Sequence, residues 1–114
     1  MEDSTIVTGS AVGKHLDAIA QMMPVSYLVF NKKKIKLVAQ ITIGRDSDNS
    51  IVLDNKLVSR HHAMIQKIKD AYFLKDLMST NGTYINNIRV PADKYIKLNS
   101  GDKVTVGSST LVIA

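Results

Sequence analysis

From residue 25 onward the chain consists of short β-rich runs separated by turn-forming residues, and no helical apolar period lies between them. Between residues 35 and 43 every second position is apolar, namely Ile35, Leu37, Ala39, Ile41 and Ile43. The other runs cover residues 25–30, 51–53, 63–68, 71–75, 83–85, 94–98, 103–106 and 110–113. The turn-forming segments include residues 31–34, 46–49, 69–70, 81–82, 86–87 and 99–102. Many short strands at regular spacing predict an all-β fold, an antiparallel sandwich or barrel. Function is then expected in the loops at one end of the fold.

A different pattern precedes this region. Residues 1–11 are small and polar with scattered aliphatic side chains, which predicts disorder. Residues 12–23 carry apolar side chains at helical spacing, namely Val12, Leu16, Ile19, Ala20 and Met23, and Pro24 ends the segment. The sequence therefore predicts an N-terminal extension over residues 1–23, an acidic tail plus a short amphipathic segment that is helical or disordered. The predicted domain follows over residues 24–114.

Size and composition exclude several classes of protein. With 114 residues, the chain is long enough for one domain and too short for two. It has no Cys, which excludes disulfides, thiolate nucleophiles, iron–sulfur clusters and cysteine-bound zinc, and which fits a reducing compartment. No run approaches the ~20 apolar residues that span a bilayer, and the acidic start is unlike a signal peptide. We therefore expect a soluble, cytoplasmic protein without membrane contact, with the nucleus left open.

Charge is distributed unevenly along the chain. Residues 1–23 carry three acids and one Lys, whereas residues 24–114 carry fourteen Lys and Arg against seven Asp, a net charge of +7. This balance indicates either a preference for anionic partners or a basic surface that only keeps the protein in solution. Nucleic-acid or polyanion binding through Lys32–Lys34 and Lys36 is one alternative function. It is disfavoured because aromatic residues make up only 5% and no stacking platform is visible. The lysines are expected instead at a hairpin tip and on an edge strand.

Three loop segments carry side chains that suit anion binding. The first is Gly44-Arg45, where the planar guanidinium fits a phosphate or carboxylate. The second is residues 58–63, where Ser59 offers a hydroxyl next to Arg60. The third is residues 76–86, whose Asn81-Gly82 pair predicts a tight turn crowded with polar side chains. An Asn side chain can both donate to and accept from the main chain of an extended peptide.

The second loop allows two chemical alternatives. Ser59 close to two histidines invites a nucleophile–base interpretation, but no orienting acid lies nearby in sequence and no nucleophile elbow is present, so a small hydrolase is disfavoured. Adjacent residues of a strand point to opposite faces, so His61 and His62 are not expected to bind one metal ion together. His62, just before an apolar run, is expected to be a buried imidazole that holds the loop. No metal or cofactor is predicted.

Taken in order, these segments resemble the forkhead-associated (FHA) domain, whose signature is Gly-Arg, then Ser-x-x-His, then Asn-Gly. The matching residues are Gly44-Arg45, Ser59-Arg60-His61-His62 and Asn81-Gly82, with supporting flanks at residues 49–53, at Asp76 with Ser79-Thr80, and at Leu98, Gly101, Asp102 and Val104. The resemblance covers about residues 25–114. One departure is Asn87, where relatives often have Gly. Since Asn tolerates positive φ, the turn is expected to be retained.

The resemblance implies a sandwich of two twisted antiparallel sheets that binds phosphothreonine peptides without catalysis. The implied partner is a phosphothreonine-containing protein, a Ser/Thr kinase or its substrate, in kinase-dependent signalling. The roles implied for individual residues are phosphate binding by Arg45 and Ser59, a backbone N–H and charge from Arg60, a phosphate or methyl contact from Thr80, main-chain contact from Asn81, and structural support from Gly44, His62 and Gly82.

Two further expectations concern ligands. Ser4, Thr5 and Thr8 lie in the acidic tail, and in some stand-alone relatives a phosphorylated tail threonine contacts its own domain. An ordinary disordered leader is the alternative to such an intramolecular contact here. Specificity in this family usually depends on the residue three after the phosphothreonine, and Lys56, Leu57 and Met78 are candidates to contact it.

Overall fold

The structure, a computed structural model, describes residues 25–114 of the chain. This part of the chain contains eleven short strands. The strands are β1 (Tyr27–Phe30), β2 (Lys33–Lys36), β3 (Gln40–Gly44), β4 (Ile51–Val52), β5 (Ala63–Ile68), β6 (Ala71–Asp76), β7 (Thr83–Ile85), β8 (Ile88–Arg89), β9 (Tyr95–Lys97), β10 (Lys103–Val106) and β11 (Ser109–Ile113). The predicted extension over residues 1–23, with its amphipathic segment, lies outside the described residues. Among the described residues there is no helix that could cross a membrane.

The strands form two sheets, which confirms the predicted β-sandwich. One sheet has six strands in the order β2-β1-β11-β10-β7-β8, and all of its pairs are antiparallel. The other has five strands in the order β4-β3-β5-β6-β9. Its pairs are antiparallel except for β3 and β4, which are parallel, with Ile43 opposite Ile51. The loop over residues 45–50 carries the chain back to the level of Ile43 before β4 begins, so that β4 runs in the same direction as β3.

The predicted single strand over residues 35–43, preceded by a polar turn over residues 31–34, was wrong. The turn is confined to Asn31 and Lys32, both with positive φ, and β2 begins directly after it. Leu37 then buries its side chain, and its N–H donates to the carbonyl of Ser26 at 2.9 Å. The chain passes here from one sheet to the other, so the apolar alternation continues although the strand does not. The lysines of β2 do lie on an edge strand, as expected.

The core lies between the sheets, where alternate side chains of each long strand point inward. Burial alternates along β6 and along the first half of β5, as period-two strands with one solvated face require. The buried residues that form this core cluster are Leu28, Leu37, Ile41, Ile43, Ile51, Leu53, Val58, Ala63, Ile65, Tyr72, Leu74, Leu98, Val104, Val106, Leu111 and Ile113. Removing these side chains from water supplies the main driving force that makes the sheets a rigid support for their loops.

Register places three connections at the same end of the sandwich. In the five-stranded sheet, Ala63 at the start of β5 pairs with Ile43 near the end of β3 and with Asp76 at the end of β6. In the other sheet, Thr83 at the start of β7 pairs with Val106 at the end of β10. The loops β3–β4, β4–β5 and β6–β7 therefore gather at one end. At the opposite end, the N–H groups of residues 26 and 27 both donate to the carbonyl of residue 114.

Candidate functional site

The loop after β3 and the loop before β5 are joined through their main chains. The N–H of Arg45 donates to the carbonyl of Ser59 at 3.0 Å, and the N–H of Asp46 donates to the carbonyl of Arg60 at 3.2 Å. The N–H of His62 donates to the carbonyl of Ile43 at 2.9 Å and continues the pairing into the sheet. These bonds hold the two loops beside each other, with the backbones of both arginines fixed.

Gly44 makes this approach possible because it has no side chain. A β-carbon at Gly44 would lie 2.2 Å from the carbonyl oxygen of Arg60 and 2.7 Å from Nδ2 of Asn49, which no real contact allows. The buried Asn49 amide donates to the carbonyls of Asp46 and Arg60, both at 2.8 Å. Gly44 and Asn49 therefore set where the Arg45 backbone leaves the sheet.

The third loop, over residues 77–82, is bonded to the second. The hydroxyl oxygen of Ser59 accepts from the N–H of Thr80 at 3.1 Å. The side-chain amide of Asn81 donates to the carbonyl of Leu57 at 2.9 Å. The structure thus brings Ser59, Thr80 and Asn81 to one surface, and the main-chain bond between Ser59 and Arg45 adds the first loop to it.

His62 is a wholly buried link between the second and third loops. Its Nδ1 accepts from the N–H of Ser59 at 3.0 Å, and its Nε2 donates to the carbonyl of Gly82 at 2.9 Å. Because a carbonyl only accepts, the ring proton lies on Nε2. Both ring nitrogens are therefore engaged by backbone groups, and neither bonds the Ser59 hydroxyl as a catalytic base would.

Asp76 organises the third loop from within. Its side chain is almost completely buried, and its carboxylate accepts from the N–H of Ser79 at 3.1 Å and from the hydroxyls of Ser79 and Thr83 at 2.5 and 2.6 Å. The Ser79 hydroxyl oxygen in turn accepts from the N–H of Gly82, which has a φ of +86°. Sequence reasoning placed Asp76 only in a supporting flank. An acid at a buried position of an alternating strand, followed by Ser and Thr, was the available signal.

The outer surface of the three loops is polar and carries two exposed arginines. Arg45, Arg60, Thr80 and Asn81 are exposed, and Ser59 is half-buried. Within residues 25–114, no carboxylate lies within ion-pair distance of either arginine. The arrangement can therefore offer two guanidinium groups, hydroxyls and a carboxamide to an anionic ligand. Leu57 and Met78, which are 52% and 72% exposed, also lie on these loops.

A group of possible metal ligands lies beside the first two loops. Ligand atoms of Asp46, Asp48 and His61 all lie within 4.8 Å of one another, and Nε2 of His61 lies 3.1 Å from the Asp48 carboxylate. Asp48 and His61 are exposed, and His61 lies on the surface whereas His62 is buried, as expected for adjacent residues. The group is an exposed hydrogen-bonded pair of His61 and Asp48 with a neighbouring acid.

Comparison with known proteins gives consistent matches. The sequence profile described as FHA domain matches residues 41–107. Over 74 residues the chain is 42% identical to the ABC transporter ATP-binding/permease protein Rv1747 of Mycobacterium tuberculosis, which is 65% of this chain and 8% of that protein. It is 41% identical over 69 residues to the oxoglutarate dehydrogenase inhibitor of Corynebacterium jeikeium, covering 60% of this chain and 46% of the relative. The chain thus spans less than half of these relatives.

Solved structures give the same result. The structure of M. tuberculosis EmbR in complex with a low-affinity phosphopeptide matches with a TM-score of 0.73 and 32% identity, over 90% of this chain and 29% of that one. The FhaA FHA domain complexed with the intracellular domain of Rv3910 matches with a TM-score of 0.69 and 30% identity, over 77% and 98%. The N-terminal FHA domain of Saccharomyces cerevisiae Rad53p, bound to a phosphothreonine peptide, matches with a TM-score of 0.70 and 25% identity, over 78% and 91%.

Proposed function

The chain belongs to the FHA domain family, and on that premise we propose that its loop end binds phosphothreonine in partner proteins and catalyses no reaction. The proposed ligand is a protein segment phosphorylated by a Ser/Thr kinase, so the partner is a kinase or a kinase substrate. The observation that carries the proposal is the hydrogen-bonded union of the three loops, which presents Arg45, Ser59 and Asn81 on one surface. Complexes of related domains with phosphopeptides support it.

We assign the phosphate contacts to the first two loops. Phosphothreonine carries a charge of about −1.5 to −2 and strong acceptor oxygens. The exposed guanidinium of Arg45 can donate to it, and such a charge-assisted bond contributes about 1.5–3 kcal/mol. The Ser59 oxygen already accepts from Thr80, which leaves its O–H proton to donate outward. The N–H of Arg60 has no acceptor within residues 25–114 and can donate as well.

We assign the peptide main chain to the third loop. One N–H of the Asn81 carboxamide is engaged by Leu57, which orients the group and leaves its oxygen and second N–H for an extended peptide. Thr80 is exposed next to it, and we assign it a contact with the phosphate or the threonine methyl. A slot for that methyl favours threonine over serine by about 0.8 kcal/mol. Gly44, His62 and Gly82 act as supports through the backbone contacts described above.

Binding of peptides to wild type and to Arg45→Ala tests the proposal. Wild type is expected to bind a phosphothreonine peptide, and to bind the unphosphorylated peptide or an Asp substitute poorly, because Asp lacks the second charge and the third oxygen. Loss of about 1.5–3 kcal/mol weakens binding by Arg45→Ala about 10- to 150-fold. Lys36→Ala removes an equal charge from the edge strand β2 and is the matched control, with affinity unchanged. Equal binding by Arg45→Ala and wild type contradicts the site.

We also propose a second ligand for the same loops, the chain's own tail after phosphorylation of Thr5 or Thr8. The acidic tail and the basic body carry opposite net charges, which favours such a contact. Kinase treatment should then weaken binding of an external phosphopeptide to the full chain, but not to a chain lacking residues 1–23. The absence of any difference between the two chains refutes the tail contact and leaves the external ligand intact.

We propose the cytoplasm as the location, because a chain with no Cys needs no oxidising compartment. The alternative of polyanion binding finds no support in the relatives. A gel-shift experiment at low salt tests it, and a shift of DNA or RNA that weakens steeply with salt would revive that alternative.

A further inference from the structure

A third arginine lies against the third loop from the opposite sheet. A β-carbon built on Gly82 would lie 2.6 Å from Nε, 3.0 Å from Cζ and 3.2 Å from Cδ of Arg89. The guanidinium and the end of its stem therefore lie directly over the α-carbon of Gly82. Any larger residue at position 82 would displace these atoms of Arg89. Gly82 therefore leaves room for the Arg89 side chain in addition to forming the turn.

The position of Arg89 is set by strand pairing. Arg89 lies on β8, opposite Tyr84 of β7, and the following N–H, of Val90, donates to the carbonyl of Thr83 at 2.9 Å. β8 is the edge of the six-stranded sheet, so the outer side of this strand faces solvent. The backbone of Arg89 is thus held by the sheet, and its side chain extends to the loop end.

The charge of Arg89 has no partner in the part of the chain that the structure describes. Among residues 25–114, no carboxylate lies within 4.0 Å of its guanidinium. The acid that shares a surface groove with it, Asp102, is occupied, since its oxygens accept from the side chain of Asn86 and the N–H of Asn99 at 3.0 and 2.8 Å. Within residues 25–114, Arg89 is therefore an exposed cation without a carboxylate partner.

This cation lies next to the residue assigned to the peptide main chain. Its Cζ is at most ~4.5 Å from the Gly82 α-carbon, and consecutive α-carbons are ~3.8 Å apart, so Cζ lies within about 8 Å of the Asn81 α-carbon. A side chain on a peptide bound at Asn81 can reach across this distance, which is about one Debye length at physiological salt. Arg45 and Arg60 approach from the five-stranded sheet, whereas Arg89 approaches from the six-stranded one.

We propose that Arg89 is a specificity-determining residue that selects phosphothreonine peptides carrying Asp or Glu where the peptide crosses the Asn81-Gly82 turn. The inference rests on the proposed function, because it concerns the flank of the same ligand. An exposed ion pair of this kind contributes modestly, so an acidic residue at that position should tighten binding about two- to fivefold. The gain should shrink as salt is raised.

A peptide series tests the inference. One phosphothreonine peptide with neutral flanks is compared with versions carrying a single Asp at each position from three before to three after the phosphothreonine. Wild type should prefer Asp at one or two adjacent positions, and Arg89→Gln should lose that preference while still requiring the phosphate. Arg89→Lys should retain part of it, and Arg89→Glu should prefer Lys to Asp there. Lys36→Gln is the charge-matched control and should behave as wild type.

The possible outcomes distinguish a failure of the role assigned to Arg89 from a failure of the proposed phosphothreonine binding. If wild type binds phosphopeptides without any preferred position for Asp, or if the preference persists in Arg89→Gln and is lost instead in Arg60→Gln, the role of Arg89 is refuted while phosphothreonine binding stands. If wild type does not distinguish phosphorylated from unphosphorylated peptide, the proposed function itself fails. Should thermal unfolding show that Arg89→Gln does not fold, Arg89→Met, which keeps an unbranched stem over Gly82, takes its place under the same criteria.

Discussion

Replacing His62 by Leu should loosen the loop end from within. Leu has a similar volume and fits an apolar environment, so the substitution removes two hydrogen bonds without opening a large cavity. It leaves the N–H of Ser59 and the carbonyl of Gly82 without their partner. A buried polar group left unpaired costs about 1–3 kcal/mol, so two such groups lower the free energy of unfolding by about 2–6 kcal/mol. A small domain has only about 5–15 kcal/mol in total, which makes the loss easy to measure.

Urea unfolding followed by far-ultraviolet circular dichroism gives this free energy by linear extrapolation, and it suits a chain without Trp. The matched control is His61→Leu, one residue away, where the side chain is 53% exposed and bonds to an exposed Asp48. That variant should lose less than about 1 kcal/mol. The reasoning is refuted if His62→Leu costs less than about 1 kcal/mol or no more than His61→Leu. Phosphopeptide affinity should also fall in His62→Leu, because the second and third loops are no longer tied through the core.

Other substitutions test the supports of the site. Gly44→Ala forces a β-carbon onto the carbonyl of Arg60 and should cost at least about 1–3 kcal/mol, and an unchanged melting temperature would contradict the close approach. Asp76→Ala leaves the buried Thr83 hydroxyl unpaired and frees the third loop, so amide hydrogen exchange over residues 77–82 should accelerate, and unchanged protection would argue against this role. Asn87→Gly, at a φ of +69°, should leave stability equal or raise it by up to about 1 kcal/mol, whereas a clear loss of stability would show that the Asn side chain itself is needed.

The sequence predicts best the strands whose alternation of apolar side chains stays within a single sheet. The bounds of β5 and β10 agree with the predicted residues 63–68 and 103–106, because apolar side chains alternate there only between core and solvent. The strand at residues 88–89 was not predicted, because its two residues are both exposed and show no alternation. Its formation depends on the Asn86-Asn87 turn, where both residues have positive φ, and on pairing with β7.

The candidate site likewise has a part that the sequence predicts and a part that it does not. The residues that carry an exposed donor or charge, such as Arg45 and Asn81, could be identified from residue type and order along the chain. The supporting contacts could not, because they join residues far apart in sequence. The side chain of Asn49 reaches eleven residues onward to Arg60, and the ring of His62 reaches twenty residues onward to Gly82. Only the folded register decides which backbone group faces each of these side chains.

The two main-chain bonds from residues 26 and 27 to the carbonyl of Ala114 have a consequence for larger proteins. Residues 26, 27 and 114 lie side by side at the end of the sandwich opposite the three loops, so polypeptide joined at these residues would not cover the loops. A domain with this arrangement can be inserted into different larger proteins. The matched segment accounts for 8% of one relative and 46% of another, as expected for a domain that occurs in proteins of very different size.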